Sequence, residues 1–189
     1  MEVRPYVEPT SRFGQYAHYN RTVSVSEHRQ HAPASVVVHV ITVSDTRTIE
    51  TDGSGRAIVE MLGAAGHVLH GRTLLEDEPD EVRRAVQQLA EDPAVQAVIT
   101  TGGTGITSRD GTFEAIDSLL TKRLPGFGEL FRMLSYQEVG PAAMLTRATA
   151  GLVGRTVVIL LPGSEPAVRL GIEKLVLPEI GHLVREAHR

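Results

Sequence analysis

At 189 residues the chain has room for one α/β domain with a full core, and is short for two. Its hydrophobic content of 41%, charged content of 22% and net charge of -4 give no global pull toward nucleic acid or an anionic membrane, so neither is expected as a partner. The absence of cysteine excludes disulfides, a thiol nucleophile and thiolate-held metal centres; with no apolar run near the roughly 20 residues of a membrane span and no apolar signal segment, a cytoplasmic location is expected.

Residues 1–34 differ from the rest. They carry Pro5, Pro9 and Pro33, His18, His28 and His31, and Tyr6, Tyr16 and Tyr19, without a sustained apolar period. This composition reads as an N-terminal arm, either solvated and extended or pinned by its tyrosines to a neighbouring subunit. The remainder, 35–189, reads as the domain itself.

Val36 to Val43 is a near-continuous β-branched run, the pattern of a strand buried on both faces. Ser44, Asp45, Thr46 and Arg47 end it, and Asp52-Gly53-Ser54-Gly55 opens a helix capped by Asp52 or Ser54 and closed by Gly63 and Gly66. A second strand runs from His67 to Leu75. Asp77 and Glu78 then precede Pro79 at a helix start, where capping and dipole complementation alone account for them. Val95 to Thr101 is the third strand. It delivers Thr101-Gly102-Gly103-Thr104-Gly105, with Asp110 five residues on and a helix expected from Thr112 to Leu120. Beyond lie a second glycine-bearing loop at Leu124 to Glu129, a helix with Leu130, Phe131, Met133 and Leu134, a short strand at Ala148 to Leu152, and a buried strand at Thr156 to Leu161. Pro162-Gly163-Ser164-Glu165-Pro166 begins a helix to about Leu175, and Pro178 to Ala187 makes the last one. Strand–helix units in series predict an α/β three-layer sandwich, with a mostly parallel central sheet and helices on both faces.

The glycine turn supplies bare backbone N–H groups and small hydroxyls at a strand-to-helix junction, which suits an anionic ligand, although a tight structural connection has the same composition. It is not a P-loop, since no lysine follows Gly105 before Lys122, and it is not a dinucleotide fingerprint, since Ser108 stands where a third glycine belongs. No G-x-S-x-G elbow is present. What raises the functional reading is repetition. Ser44-Asp45, Asp77, the glycine turn with Asp110, and Pro162-Gly163-Ser164 all follow strands, and parallel strands bring these ends to one sheet edge. That rim offers donors for phosphate and carboxylates for Mg²⁺, but no histidine base. Its chemistry therefore suits a nucleophile that is already ionised, such as one phosphate attacking another.

Val40 to Asp45, Asp52 to Gly55, Thr100 to Gly105, Arg109-Asp110, Pro125 to Glu129 and Pro162 to Ser164 occur in an order that closely resembles the molybdopterin-binding proteins of molybdenum cofactor biosynthesis. The likeness runs from about Val36 to His182. It is most similar to the protein B branch, judged by Ser44 to Arg47 and Phe127 to Ser135.

The resemblance implies the molybdopterin-binding fold and Mg²⁺-dependent transfer of AMP from ATP to molybdopterin, releasing diphosphate; the alternative is a pathway protein that binds molybdopterin or nucleotide without turnover. It implies catalytic, metal-holding roles for Asp77 and Asp110, and substrate binding by Thr101, Gly102, Gly103, Thr104 and Gly105. Ser44, Asp45, Gly163 and Ser164 would line the site, and Thr146-Arg147 matches a Ser-Arg pair near the pterin pocket, with Arg147 offering charge to the pterin phosphate. A homo-oligomer, trimer or hexamer, is implied as well. One departure stands out: Phe113 occupies the place of a proline between Thr112 and Glu114.

Overall fold

The computed structural model describes residues 32–189; the expected arm lies outside the described residues except for its last three positions. Strands β1 (Val37–Val43), β2 (Val68–Leu75), β3 (Ala97–Thr101), β4 (Lys122–Arg123), β5 (Thr149–Val153) and β6 (Thr156–Leu161) form one sheet in the order β2-β1-β3-β6-β5-β4. β2, β1, β3 and β6 are parallel, whereas β5 runs antiparallel to both β6 and β4. Every residue of β3 and β6, and all of β1 after Val37, is buried, as continuous β-branched runs require of central strands. β2 is the half-exposed edge.

Among the described residues six α-helices cover the sheet: α1 (Gly53–Ala64), α2 (Pro79–Glu91), α3 (Thr112–Asp117), α4 (Pro125–Val139), α5 (Glu165–Gly171) and α6 (Leu177–Ala187). On one face Val40, Ile99 and Ile159 pack with Ile58 and Leu62 of α1, Phe131 of α4, Val168 of α5 and Ile180 of α6. On the other, Ile41, Val98 and Leu160 pack with Val82 and Val86 of α2 and Ile116 of α3. Alternate strand residues feed the two layers, which is the expected α/β/α sandwich with a mostly parallel sheet.

Three local readings change. The segment expected as a glycine-bearing loop at 124–129 is the first turn of α4. Pro125 sits at its start, where the absent N–H has no intrahelical partner to lose. Gly128 is there for clearance, since a Cβ would stand 2.7 Å from the Ala148 carbonyl oxygen. The helix expected to Leu120 stops at Asp117, and the chain turns at once into the two-residue β4. Finally, α5 and α6 do not part at Leu175. A π-helical turn over Ile172–Val176 carries one into the other and sets Pro178 in the first turn of α6.

Phe131 has no exposed surface and reaches between α4 and Gly171, so its ring anchors α4 to the face that α5 shares. Phe131→Ala is expected to lower the unfolding free energy by about 3–5 kcal/mol, read from the urea midpoint at unchanged m-value.

Candidate functional site

Parallel pairing brings the C-terminal ends of β1, β3 and β6 to a common edge, and the glycine turn rises from the middle one. Gly102 and Gly103 have φ of 100° and 60°, a region in which residues with a Cβ are strained. Space demands glycine too. A Cβ at Gly102 would run into the Val43 carbonyl oxygen. At Gly103 it would meet the Thr112 hydroxyl and come within 2.8 Å of Asp77 Oδ2, and at Gly105 within 2.6 Å of Asp110 Oδ2. The turn is tied to β6, with Gly102 N donating to the Leu161 carbonyl at 3.2 Å and the Thr101 hydroxyl to the Pro162 carbonyl at 2.8 Å. The glycines therefore form a crest of bare backbone resting on two carboxyl groups.

Those carboxyls occupy different environments. Asp77 accepts from the Thr112 hydroxyl at 3.1 Å. Burial pushes its carboxyl above the ordinary value, and the negative charges of Asp110 and Asp45 add to the shift against the opposing hydrogen bonds from Thr112 and Gly111. Asp110 accepts from the Thr107 hydroxyl at 2.6 Å and the Thr107 amide at 2.8 Å, and that hydroxyl is the main cause of its lowered carboxyl. Asp45 brackets the pair: Oδ1 accepts the Asp77 amide at 2.9 Å, and Oδ2 accepts from Arg109 at 3.0 Å. Its carboxyl is held low by the Asp77 amide first and by Arg109 second.

Arg147 lies against the same turn. Its Nε donates to the Thr104 carbonyl at 3.0 Å and Nη2 to the Asp110 carbonyl at 3.2 Å; Nη2 also bonds the Gly105 carbonyl, and Nη1 pairs with Glu114. The guanidinium carbon stands 5.1 Å from the Phe113 ring centroid, a cation–π contact. Phe113 thus gives Arg147 a platform, and Glu114 one residue on gives it a counter-charge.

Ser44, Thr101, Gly102, Gly103, Gly163 and Ser164 line one cavity of about 590 Å³, together with Ser54, whose hydroxyl donates to the Gly163 carbonyl at 2.8 Å. Asp45, Asp77, Thr104, Gly105, Asp110 and Arg147 are not among its walls and cluster about the crest instead. Thr146 lines a neighbouring cavity of about 550 Å³, which shares Ser164 with the first. Sequence reasoning missed Thr112, fully buried and bonded to Asp77, and Glu114, the partner of Arg147. Their signal was positional: both follow Asp110 within four residues.

The model of the "probable molybdopterin binding domain" family matches residues 39–182. Molybdenum cofactor biosynthesis protein B of Bacillus subtilis (strain 168) is 50% identical over 168 residues, covering 88% of this chain and 99% of the relative. A crystal structure of molybdenum cofactor biosynthesis protein B superposes with a TM-score of 0.81 at 49% identity, covering 84% of this chain and 99% of that one. The tungsten cofactor synthesizing protein MoaB from Pyrococcus furiosus gives 0.75 at 40% identity, covering 84% and 100%. The chain belongs to the molybdenum cofactor biosynthesis protein B family.

In this family member the cavity rim is fixed from below by Asp52. Its side chain is the α1 N-cap, accepting the Gly55 amide at 2.8 Å, and it also accepts from the Thr42 hydroxyl and Arg72 Nη2, each at 2.6 Å. Arg72 donates further to the Asp52 and Ile49 carbonyls, closing the 44–52 loop over the cavity. Burial alone would raise the Asp52 carboxyl, but these donors and the Arg72 charge hold it below its ordinary value of 3.8. A depressed carboxyl contributes stability above its unfolded pKa and loses it as the pH falls through the folded one. Asp52→Asn, which leaves Arg72 without its charge partner, is expected to cost about 3 kcal/mol near neutral pH. In chemical denaturation across the acid range, the gap from wild type should close below about pH 3.8.

Proposed function

We propose that the chain is a molybdopterin adenylyltransferase, acting in molybdenum cofactor biosynthesis with ATP and molybdopterin as substrates and Mg²⁺ as cofactor. The observation that carries this reading is the placement of Asp77 and Asp110 beneath a crest of bare backbone, at the edge where β1, β3 and β6 end. The crest offers N–H groups to phosphate, and the two carboxyls lie where a phosphate-bound cation would sit.

The residues present fit Mg²⁺. Oxygen-only donors suit that ion, which is commonly held by one or two carboxylates together with substrate phosphates. Asp77 and Asp110 would hold it, and the repulsion that Asp77 feels from Asp110 and Asp45 is what a cation would relieve. When bound, Mg²⁺ neutralises charge on the phosphate oxygens. In the reaction an ionised phosphate oxygen of molybdopterin attacks the α-phosphorus of ATP, and the bond from that phosphorus to the bridging oxygen breaks. Diphosphate departs with the electron pair. No side-chain base is needed, in keeping with a rim free of histidine. The chain's own share is in-line placement by the crest and by the loops that Asp45, Arg109 and Arg147 brace.

Protein mixed with molybdopterin, ATP and Mg²⁺ should release diphosphate. Asp110→Asn should reduce that release by about 100-fold or more while leaving substrate binding largely intact. Substrate binding by the wild type with no diphosphate would replace the enzyme with a non-catalytic binding protein.

We further infer a homo-oligomer, with trimer or hexamer as the states to test. Met133 and Tyr136 of α4 line one recess with Met144 of the following 3₁₀ turn, and all three are exposed, as are Leu130, Val139 and Leu145, more than isolated surface apolar residues require. Sedimentation should give an assembly, and Met133→Glu with Tyr136→Glu should shift it to smaller species.

A further inference from the structure

A short trough runs beside the crest. The cavity at Ser44 and Gly163 shares Ser164 with the cavity at Thr146, and that one shares Thr146 with a recess of about 310 Å³ lined by Phe113, Arg123, Arg132 and Arg147. The recess is rich in guanidinium groups, but two of its three arginines are already engaged. Arg123 gives Nε and Nη2 to the carboxylate of Asp117. Arg147 spends its donors on Thr104, Gly105, Asp110 and Glu114, and a guanidinium has five N–H groups in all. Arg132 has no hydrogen-bond or ion-pair partner among the described residues.

Its placement is built. Arg132 lies one turn beyond Gly128 on α4, and a Cβ at Gly128 would stand 3.1 Å from Arg132 Nη1 and 3.5 Å from Nη2. The guanidinium therefore runs back over the bare face of Gly128 toward Thr146, the direction that helical side chains favour. Glu129 also lines the recess but makes no ion pair with Arg132, so this partly buried cation keeps its donors for a ligand anion, and the planar fork suits a phosphate.

We propose that Arg132 is the cation that contacts the phosphate monoester of the substrate seated over Thr146, and that Arg147 acts as a positioning residue holding the glycine turn. This rests on the adenylyltransferase reading only in naming molybdopterin as that substrate.

The test compares equilibrium binding of molybdopterin and of its dephosphorylated form to wild type, Arg132→Gln and Arg132→Lys. Arg132→Gln should weaken molybdopterin by about 10–100-fold and leave the dephosphorylated form unchanged, with Arg132→Lys in between. Its thermal midpoint should match wild type, since no internal bond is lost. Equal loss for both ligands, or no loss for either, overturns the assignment while leaving the reading of the site intact. A wild type that takes up no molybdopterin overturns both.

Discussion

The close crossing of Gly102 over the Val43 carbonyl is the contact on which the rest of the site depends. Only a residue without a Cβ, at positive φ, lets β3 end so near the end of β1. That approach lowers the next residue onto Thr112 and Asp77, so one backbone turn sets the height of the crest above the carboxyls. Parallel pairing of β1 with β2, with Val43 opposite Leu75, brings the loops after them together, where Asp45 accepts the Asp77 amide at 2.9 Å. Side chains from separate loops are thus located by a backbone clearance and strand pairing rather than by their own packing.

Charge is distributed around that crest so that the two acids differ. Burial and anionic neighbours press Asp77 toward its neutral form, while the Thr107 hydroxyl keeps Asp110 ionised. The nearby arginines mostly answer to the protein. Arg109 serves Asp45, Arg72 serves Asp52, and Arg147 serves three carbonyls and Glu114. Carbonyls held by a guanidinium cannot swing toward the crest, where they would repel a phosphate. An arginine can therefore favour an anion by what it removes from the site as well as by direct contact.

The fold was legible because its signals are local. β1, β3 and β6 are continuous β-branched runs, and buried central strands require that pattern. The rim was legible because parallel strands must end together. What escaped depends on contacts between distant segments. Nothing in Leu124 to Glu129 tells a loop from a helix start until the Ala148 carbonyl presses on Gly128. Thr112 looks like a helix-start hydroxyl until β2 brings Asp77 within 3.1 Å of it. Ser54 and Asp52 were equal candidates for the α1 cap. Asp52 takes that place, and Ser54 turns to the Gly163 carbonyl 109 residues away.

Arg147 shows the same limit in sharper form. Residue type and neighbourhood suggest an anion-binding cation, and the resemblance assigns it a place near a phosphate. Its availability, however, depends on a count of donors against acceptors that only three-dimensional placement supplies. Thr104, Gly105 and Asp110 present their carbonyls to it, Glu114 neutralises it, and Phe113 covers its face. Arg132, unremarkable in a helical stretch of sequence, keeps its donors because Gly128 gives it a channel and Glu129, on the same recess, makes no ion pair with it. Proximity to a site and freedom to act in it are separate properties, and in this chain the neighbouring arginines divide them between structure and ligand.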